Sequence, residues 1–350
     1  MGNTIITGLK SINGPVLITG HTGFKGTWMT LLLEKLGIEW FGISLQPTSD
    51  SLYNLINHKN SKNEYFIDIR DYDKLKKILI TIDPKFIIHL AAQSLVLDSY
   101  NEPRLTFETN VLGAVNLLDI VTKHTSVAKV IIATTDKVYK EKKLKKTFRE
   151  NDSLGGKDPY SWSKVGTEAA IGAWQQISKT QNGPKIISVR SGNVVGGGDQ
   201  SRNRLLPDLI NGFIKGSTTT IRNPDNTRPW QHVLDPLYGY LLAISIDTKE
   251  STFNFSPDTK SLSVSKVTEI ARNAWIGSNT VIFNKELNQL ETASLSINSK
   301  KARKILKWKS IWKQEDAIIS TVKWWQKTNA KEISHRAACF NDIDELLNEI

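Results

Sequence analysis

The sequence predicts an α/β protein: a right-handed, doubly wound parallel sheet, with a smaller α/β part interleaved towards its C-terminal end. Three observations predict it. The apolar run Pro15-Val16-Leu17-Ile18-Thr19-Gly20 leads directly into a glycine-spaced turn and then into helical periodicity. Further apolar runs recur through residue 190 with helical stretches between them, the alternation that a parallel sheet requires. The runs are nearly continuous in Val, Ile and Leu, as strands buried on both faces are.

Residues 1–13 read as a short preceding arm. After the first strand come His21-Thr22-Gly23-Phe24-Lys25-Gly26, and Thr27 to Leu36 carry a helical period. In this Gly-x-x-Gly-x-x-Gly spacing Gly20 permits the tight turn, Gly23 lets backbone approach a pyrophosphate, and Gly26 allows close helix–strand packing. The strand before and the helix after give the triplet its weight. Lys25 either adds positive charge near the phosphates or points to solvent. The second strand, Trp40 to Leu45, ends on Ser44 and Gln46, without the acidic residue that often holds a ribose 2′-hydroxyl. Residues 44 to 50 also lack a base for a 2′-phosphate, which favours NAD over NADP, with Lys25 and His21 as the exceptions to check.

Tyr65 to Ile69 is expected as a third strand, with Asp68 and Ile69 at its end reaching the adenine. A charged helix follows from Asp71 to about Ile82. The fourth strand, Phe86 to Gln93, ends in Leu90-Ala91-Ala92, where small residues suit close approach to a cofactor. His89 within it reads as a structural histidine. Pro103 to Lys123 is expected as one long helix; Asn110 in its interior is unfavourable by propensity, so it is expected to bond across to the neighbouring strand.

The stretch from Thr134 to Lys164 carries the chemistry. Val130-Ile131-Ile132-Ala133 is a buried strand, so Thr134, Thr135, Asp136 and Lys137 fall at the carboxyl edge of the sheet, where open α/β sheets bind ligands. Asp158-Pro159-Tyr160 opens a helix that sets Tyr160 and Lys164 one turn apart on one face. A phenol beside an ammonium is a candidate base, because the positive charge favours phenolate. Ile186 to Arg190 is the sixth strand. Beyond it, the loop Gly192–Asp199, a helix from Leu205 to Gly216, and the segments Thr220–Pro224 and Arg228–Val233 would cover a ligand lying over the sheet edge. An amphipathic stretch, Asp316 to Trp325, lies in a final third rich in Trp and Lys. These readings divide the chain into a Rossmann-like dinucleotide-binding domain (14–190), a mainly substrate-binding part with segments returning to the sheet (191–330), and a C-terminal tail (331–350).

Composition narrows the class. The chain has 350 residues, 39% hydrophobic and 23% charged, enough for a substantial core in a soluble protein. No apolar run approaches the ~20 residues that span a bilayer, and the N-terminal residues lack a secretory signal pattern. A single cysteine, Cys339, excludes an internal disulfide and a multi-cysteine metal site. No metal is expected, and the compartment is expected to be reducing and cytoplasmic. The formal charge of +11 admits nucleic acid or small anions as partners. Its one dense run, Lys140 to Lys146, has no aromatic interleaving and reads as a solvated loop, so no nucleic acid is expected.

Taken together, Thr19–Gly26, Leu90–Gln93, Thr135-Asp136-Lys137, Asp158-Pro159-Tyr160, Gly192-Asn193-Val194, Gly196–Asp199 and Arg222-Asn223-Pro224 with Arg228–Val233 resemble the extended short-chain dehydrogenase/reductase superfamily. Within it the chain is similar to the CDP-glucose 4,6-dehydratases over about residues 15–325. Sister enzymes acting on dTDP- or GDP-sugars usually carry Thr-Asp-Glu where this chain has Thr135-Asp136-Lys137. Three departures stand out: Trp162 where Asn is usual, Gln200 where Trp is common, and Lys143 to Lys146 in a segment normally more aromatic.

The resemblance implies a hydro-lyase of deoxysugar biosynthesis, such as lipopolysaccharide O-antigen assembly uses, that converts CDP-glucose to CDP-4-keto-6-deoxyglucose with recycled NAD. An epimerase, a dehydratase for another nucleotide and a non-catalytic nucleotide binder are the alternatives. It implies catalytic roles for Thr135, Asp136, Lys137, Tyr160 and Lys164. Cofactor contacts fall on Gly20, Thr22, Gly23, Phe24, Lys25, Gly26, Asp68, Ile69, Leu90, Ala91, Ala92, Asn110, Thr134, Tyr160 and Lys164. Substrate contacts fall on Gln93, Asn193, Leu206, Arg222, Asn223, Arg228 and His232. A homodimer through the helices holding Asn110 and Tyr160, or a tetramer, is also implied.

Overall fold

The computed structural model describes residues 2–58, 62–141, 147–284 and 295–350. Its centre is one parallel sheet of seven strands: β1 (Val16–Thr19), β2 (Trp40–Ser44), β3 (Glu64–Phe66), β4 (Phe86–His89), β5 (Lys129–Thr135), β6 (Lys185–Ser191) and β7 (Thr252–Phe255). The spatial order is β7-β6-β5-β4-β1-β2-β3. The order reverses between β1 and β4, so a crevice opens there at the carboxyl ends of the strands.

Alternation along the strands feeds two cores. Leu17, Ile43, Ile87, Val130, Ile132 and Ile186 point to one face, against Leu75, Leu79, Leu117, Leu118, Val121 and Ile171. Val16, Ile18, Ile88, Ile131, Ile187 and Val189 point to the other, against Trp28, Leu32, Leu237 and Leu241. β7 comes from beyond residue 191 and pairs in parallel with the end of β6.

The structure departs from the sequence reading at both ends. The preceding arm is a helix, Gly2–Lys10, with Leu9 fully buried. Within the C-terminal tail, residues 331–350, His335–Glu349 is a helix capped by Ser334, with Cys339, Ile343 and Leu346 buried. Terminal segments carry no strand period to announce them, and each is held by apolar contacts that one sequence does not reveal. The third strand is also shorter than expected. It stops at Phe66, because the next acceptor turn is made by Asp68, whose carboxylate caps Arg70 N–H at 2.9 Å.

The long helix around Asn110 is continuous but interrupted. Pro103–Phe107 and Gly113–His124 are α-helical, and Glu108–Leu112 between them forms a wider π turn. Such turns are frequent where a side chain must be re-aimed at a functional region. Here the re-aimed side chain is Asn110. Its Oδ1 accepts from Gln93 N–H at 2.8 Å, and its Nδ2 donates to the Gln93 carbonyl and to Ser163 Oγ at 2.9 and 2.8 Å.

Candidate active site

The glycine turn is built as the spacing requires. Gly20 has φ +77°, and a Cβ there would sit 2.7 Å from the Ala91 backbone nitrogen. A Cβ on Gly26 would drive into the Gly20 carbonyl and the His21 backbone, so the helix Phe24–Leu36 can pack this closely only on glycine. Gly23 caps that helix, leaving its first N–H groups facing the crevice. Thr22 turns away from it, towards Ser44 Oγ (2.7 Å) and the Leu45 carbonyl (3.1 Å).

Lys25 does not point to solvent. It crosses the crevice and donates to Ser191 Oγ at 3.0 Å, at the end of β6. Burial, with Arg204 and Lys164 nearby, pulls its pKa down to about 7. His21 is fully buried, with Nε2 3.3 Å from Glu64 and its ring packed near Trp40, Tyr53 and Phe66. Neither exception to the reading of the 2′ position lies at the end of β2.

A cleft of about 510 Å³ runs from this turn across the sheet edge. It is lined by Gly20, Gly23, Phe24, Lys25, Gly26, Leu90 and Ala92 on one side, and by Asn193, Leu206, Arg222 and Arg228 on the other. Thr134, Thr135, Asp136, Lys137, Tyr160 and Lys164 meet between them. The sequence reading gave no role to Arg204 or Trp325, which also line it together with Asp199 at the end of the glycine-rich loop. Arg204 sits immediately before the predicted helix, a position that only signals a cap; its guanidinium lies 3.5 Å from Asp199 and 3.4 Å from Ser94 Oγ across the cleft.

Several expected contacts are made elsewhere. His232 is fully buried between Trp28 and Trp312, 3.4 Å from Asp342, where it ties the last helix to the body and cannot touch a ligand in the cleft. Gln93 spends its side-chain amide on Leu95 and Thr106, bracing the loop after β4. Asp68 is engaged by Arg70, with N–O distances of 2.9 and 2.6 Å, and Ile69 is buried under Gly113. Asn110 and Ala91 shape the cleft through backbone neighbours, and Asn223 occupies a left-handed turn (φ 49°) beside Arg222. His89 bonds Thr19 at 2.7 Å, and burial drives its pKa to about 3, so it is a neutral structural residue as expected.

Asp136 and Tyr160 define the chemical end of the cleft. Asp136 opens a short 3₁₀ turn after β5 and is 1% exposed. Its Oδ1 accepts from the Thr135 hydroxyl at 3.1 Å. Oδ2 has no hydrogen-bond partner among the described residues. Burial raises its pKa, against the pull of Lys137 and Arg228, so the carboxyl holds a proton more readily than an ordinary aspartate. Lys137 Nζ stands 6.0 Å from the centre of the Tyr160 ring.

Tyr160 begins the helix Pro159–Gln181, whose capping box pairs Asp158 with Ser161. Burial pushes its phenol up to about 12; the charge on Arg204 and the polar side chain of Thr135 pull the other way. Lys164, expected to do this, instead donates to the Ala133 carbonyl at 3.1 Å. Burial brings its pKa down to about 8, opposed by Glu168 one turn further along. Glu168 is itself held by Arg190 (2.7 Å to each oxygen), Thr134 (2.6 Å) and Ser188 (2.7 Å). The Lys140–Lys146 run falls largely outside the described residues, which omit 142–146.

A parallel sheet with a glycine turn at its switch point, and a Tyr-x-x-x-Lys helix over the neighbouring strand, defines a dinucleotide-dependent enzyme of the extended short-chain dehydrogenase/reductase type. The family model described as GDP-mannose 4,6 dehydratase matches residues 17–321, and the chain belongs to that family. A CDP-glucose 4,6-dehydratase of Salmonella typhimurium is 36% identical over 321 residues, covering 88% of this chain and 89% of that protein. A UDP-glucose 4-epimerase of Lacticaseibacillus casei is 26% identical, covering 77% and 85%. Among solved structures, the dTDP-glucose 4,6-dehydratase of Streptomyces venezuelae with NAD bound superposes with TM-score 0.79 at 21% identity, over 91% of this chain and 98% of that one. No helix among the described residues is long and apolar enough to cross a membrane.

The Glu168 contacts generate a prediction. Removing its charge in Glu168→Gln leaves Lys164 without the group that opposes its desolvation, so the Lys164 pKa should fall below about 8. Lys164 would then lose its charge at a lower pH than in the parent protein. An NMR titration of ¹³C-methylated lysines reads this directly; an unmoved Lys164 signal would exclude the coupling.

Proposed function

We propose that this chain dehydrates CDP-glucose to CDP-4-keto-6-deoxyglucose and water with NAD. The observation that carries the reading is the juxtaposition, at one end of the cleft, of a base pair on a helix (Tyr160, Lys164) with a buried, proton-retaining acid (Asp136) and a second amine (Lys137). An epimerase needs the first pair and has no use for an acid that expels a hydroxyl. The 36% identity to a CDP-glucose 4,6-dehydratase supports the nucleotide, as does Lys137 in place of glutamate.

The residues fit a dinucleotide: only glycine is accommodated at Gly20 and Gly26, and the helix N-terminus at Gly23 offers N–H groups to a pyrophosphate. The burial of His21 and the direction of Lys25 support NAD over NADP. NAD, when bound, accepts hydride from the sugar and returns it, so no external reductant is consumed.

Within that frame Tyr160, as phenolate, takes the proton of the C4 hydroxyl while Thr135 orients that oxygen. Lys164 fixes the local charge and the cofactor ribose. The ketone then acidifies C5–H, which Lys137 removes in its neutral form, and Asp136 gives its proton to the departing C6 hydroxyl. Arg228, buried beside the acid, suits the substrate pyrophosphate, with Asn193 and Arg222 further along the same wall. A cytoplasmic setting in deoxysugar synthesis follows from this substrate.

A homodimer completes the reading. Leu112 (53%), Trp162 (50%) and Phe107 (41%) are large apolar side chains exposed on the helices around Asn110 and Tyr160, with Leu105 and Tyr100 beside them. Velocity sedimentation should give twice the chain mass, and Leu112→Glu should shift it to one; a monomeric parent protein would remove the assignment.

Two further tests address the chemistry. Offered a panel of nucleoside diphosphate sugars, the protein should show its highest kcat/KM for loss of water from CDP-glucose. A higher value for a dTDP-, GDP- or UDP-sugar would overturn the nucleotide. Lys137→Ala should accumulate reduced cofactor, seen by near-ultraviolet absorbance, while product formation falls by ~10²–10⁴-fold. Near-normal turnover would take the C5 role from Lys137.

A further inference from the structure

Trp230 carries a polar group that the fold leaves unused. The residue is 6% exposed, and its indole Nε1 has no hydrogen-bond partner among the described residues. A buried Trp N–H ordinarily finds an acceptor, because a buried donor left unpaired costs free energy. Other buried polar atoms share this condition, but among the described residues that line the cleft only Asp136 Oδ2 and Trp230 Nε1 do. The first belongs to the acid at the chemical end. No step of the dehydration uses the second.

The chain around the indole is tied down on both sides. The Trp230 backbone N–H donates to Gln314 Oε1 at 2.9 Å. Gln314 is itself buried at the start of the helix Gln314–Asn329, and its Nε2 donates to Thr259 Oγ1 at 2.7 Å and to the Lys260 carbonyl at 2.9 Å. The next residue, Gln231, donates its N–H to the Asn193 carbonyl at 3.1 Å, and Gln231–His232 pairs in parallel with Val194–Val195. A donor held in this way is ordered before any ligand arrives.

Two observations place it along the cleft. Arg228 precedes it by two residues, and both line the same cavity with Asn193 and Arg222. Pro229 between them packs on Gly192, where an added Cβ would sit 3.2 Å from Pro229 Cγ and 3.0 Å from Asp136 Oδ2. The segment Arg228-Pro229-Trp230 therefore runs beside the acid.

A ligand group at this point has to present an acceptor to the indole. To suit the Arg228 guanidinium as well, it has to carry negative charge. A phosphate oxygen meets both conditions. We propose that Trp230 Nε1 is a second diphosphate donor, binding the same group of a nucleoside diphosphate as Arg228; the proposal rests on the nucleotide-sugar reading above. The indole is neutral and only donates, so it adds direction to the charge that Arg228 supplies.

Indole N–H signals of ¹⁵N-labelled protein test this without turnover. The chain has 10 tryptophans, and the signal absent from Trp230→Phe identifies the one in question. In the parent protein with NAD, that signal should move downfield on adding CDP and stay in place with cytidine, which lacks phosphate. Trp230→Phe keeps an aromatic ring and loses the N–H. By calorimetry it should bind CDP about 10-fold more weakly, with NAD affinity and circular dichroism unchanged. A variant that binds CDP as tightly as the parent excludes the contact. So does a parent spectrum in which no indole signal answers to a nucleoside diphosphate, a result that needs no variant. A signal that moves with CDP-glucose and not with CDP, or equally with cytidine, transfers the donor to the sugar or the base and overturns the diphosphate assignment. If the parent binds UDP or dTDP and not CDP, the nucleotide reading falls, and the same signal is read with the diphosphate that binds.

Discussion

The buried ion pair between Glu168 and Arg190 is the interaction on which the rest of the site depends. Both side chains are removed from water, and the cost of that desolvation is offset by the hydrogen bonds that converge on the junction. Arg190 reaches Glu168 with two nitrogens and the Tyr139 hydroxyl with a third, and Tyr139 in turn donates to Asn254 on β7. Thr134 and Ser188 supply Glu168 with hydroxyl protons. The junction therefore clamps β5, β6 and the helix Pro159–Gln181 at one depth. Since Lys164 donates to the carbonyl of Ala133, the residue before Thr134, the same helix is fastened to β5 twice within one turn. That is what sets Tyr160 against Thr135, at a strand end where backbone alone would leave the helix free to slide.

A second clamp works on the opposite wall. A regular α-helix through Asn110 would carry its side chain past the loop after β4. The π turn rotates it onto the Gln93 backbone, which it engages as donor and acceptor while also holding Ser163. Ser163 lies between Tyr160 and Lys164, so the loop after β4 and the helix that bears Tyr160 share one asparagine. The local loss of α-helical geometry is offset by three hydrogen bonds that would otherwise be missing from buried polar groups.

What could be read from the sequence is what depends on period and on glycine. The strands announce themselves by unbroken apolar runs, and Gly20 and Gly26 by spacing that the backbone contacts then explain. Thr135, Asp136, Lys137, Tyr160 and Lys164 could be placed because each follows a boundary that chain chemistry marks, a strand end or a proline at a helix start. Contacts between distant segments were not legible. His232 sits in a segment rich in polar residues and still packs between tryptophans from two other elements. Lys25 was as compatible with solvent as with the cleft until β6 supplied Ser191. Arg204 carries no periodic signal, and its influence on Tyr160 exists only because the loop before the helix Leu205–Lys215 folds over the sheet edge.

Those unanticipated contacts change the electrostatic account of the cleft. A Tyr-Lys pair alone suggests that the lysine activates the phenol, but Lys164 is itself short of stabilisation and leans on Glu168 to keep its proton. Burial dominates and keeps the Tyr160 phenol neutral. Arg204 and the Thr135 hydroxyl lower the cost of its anion, and both line the same cleft. Asp136 shows the converse balance, for burial holds its proton on while Lys137, Arg228 and Lys25 draw it off. One desolvated site thus raises the affinity of Asp136 for its proton and keeps the Tyr160 phenol neutral, and the cations that oppose both effects are those a negatively charged ligand would approach first. The proton affinities of Tyr160 and Asp136 are in this way set by burial and by the charges of the cleft as a whole, which is why no single pair in the sequence could disclose them.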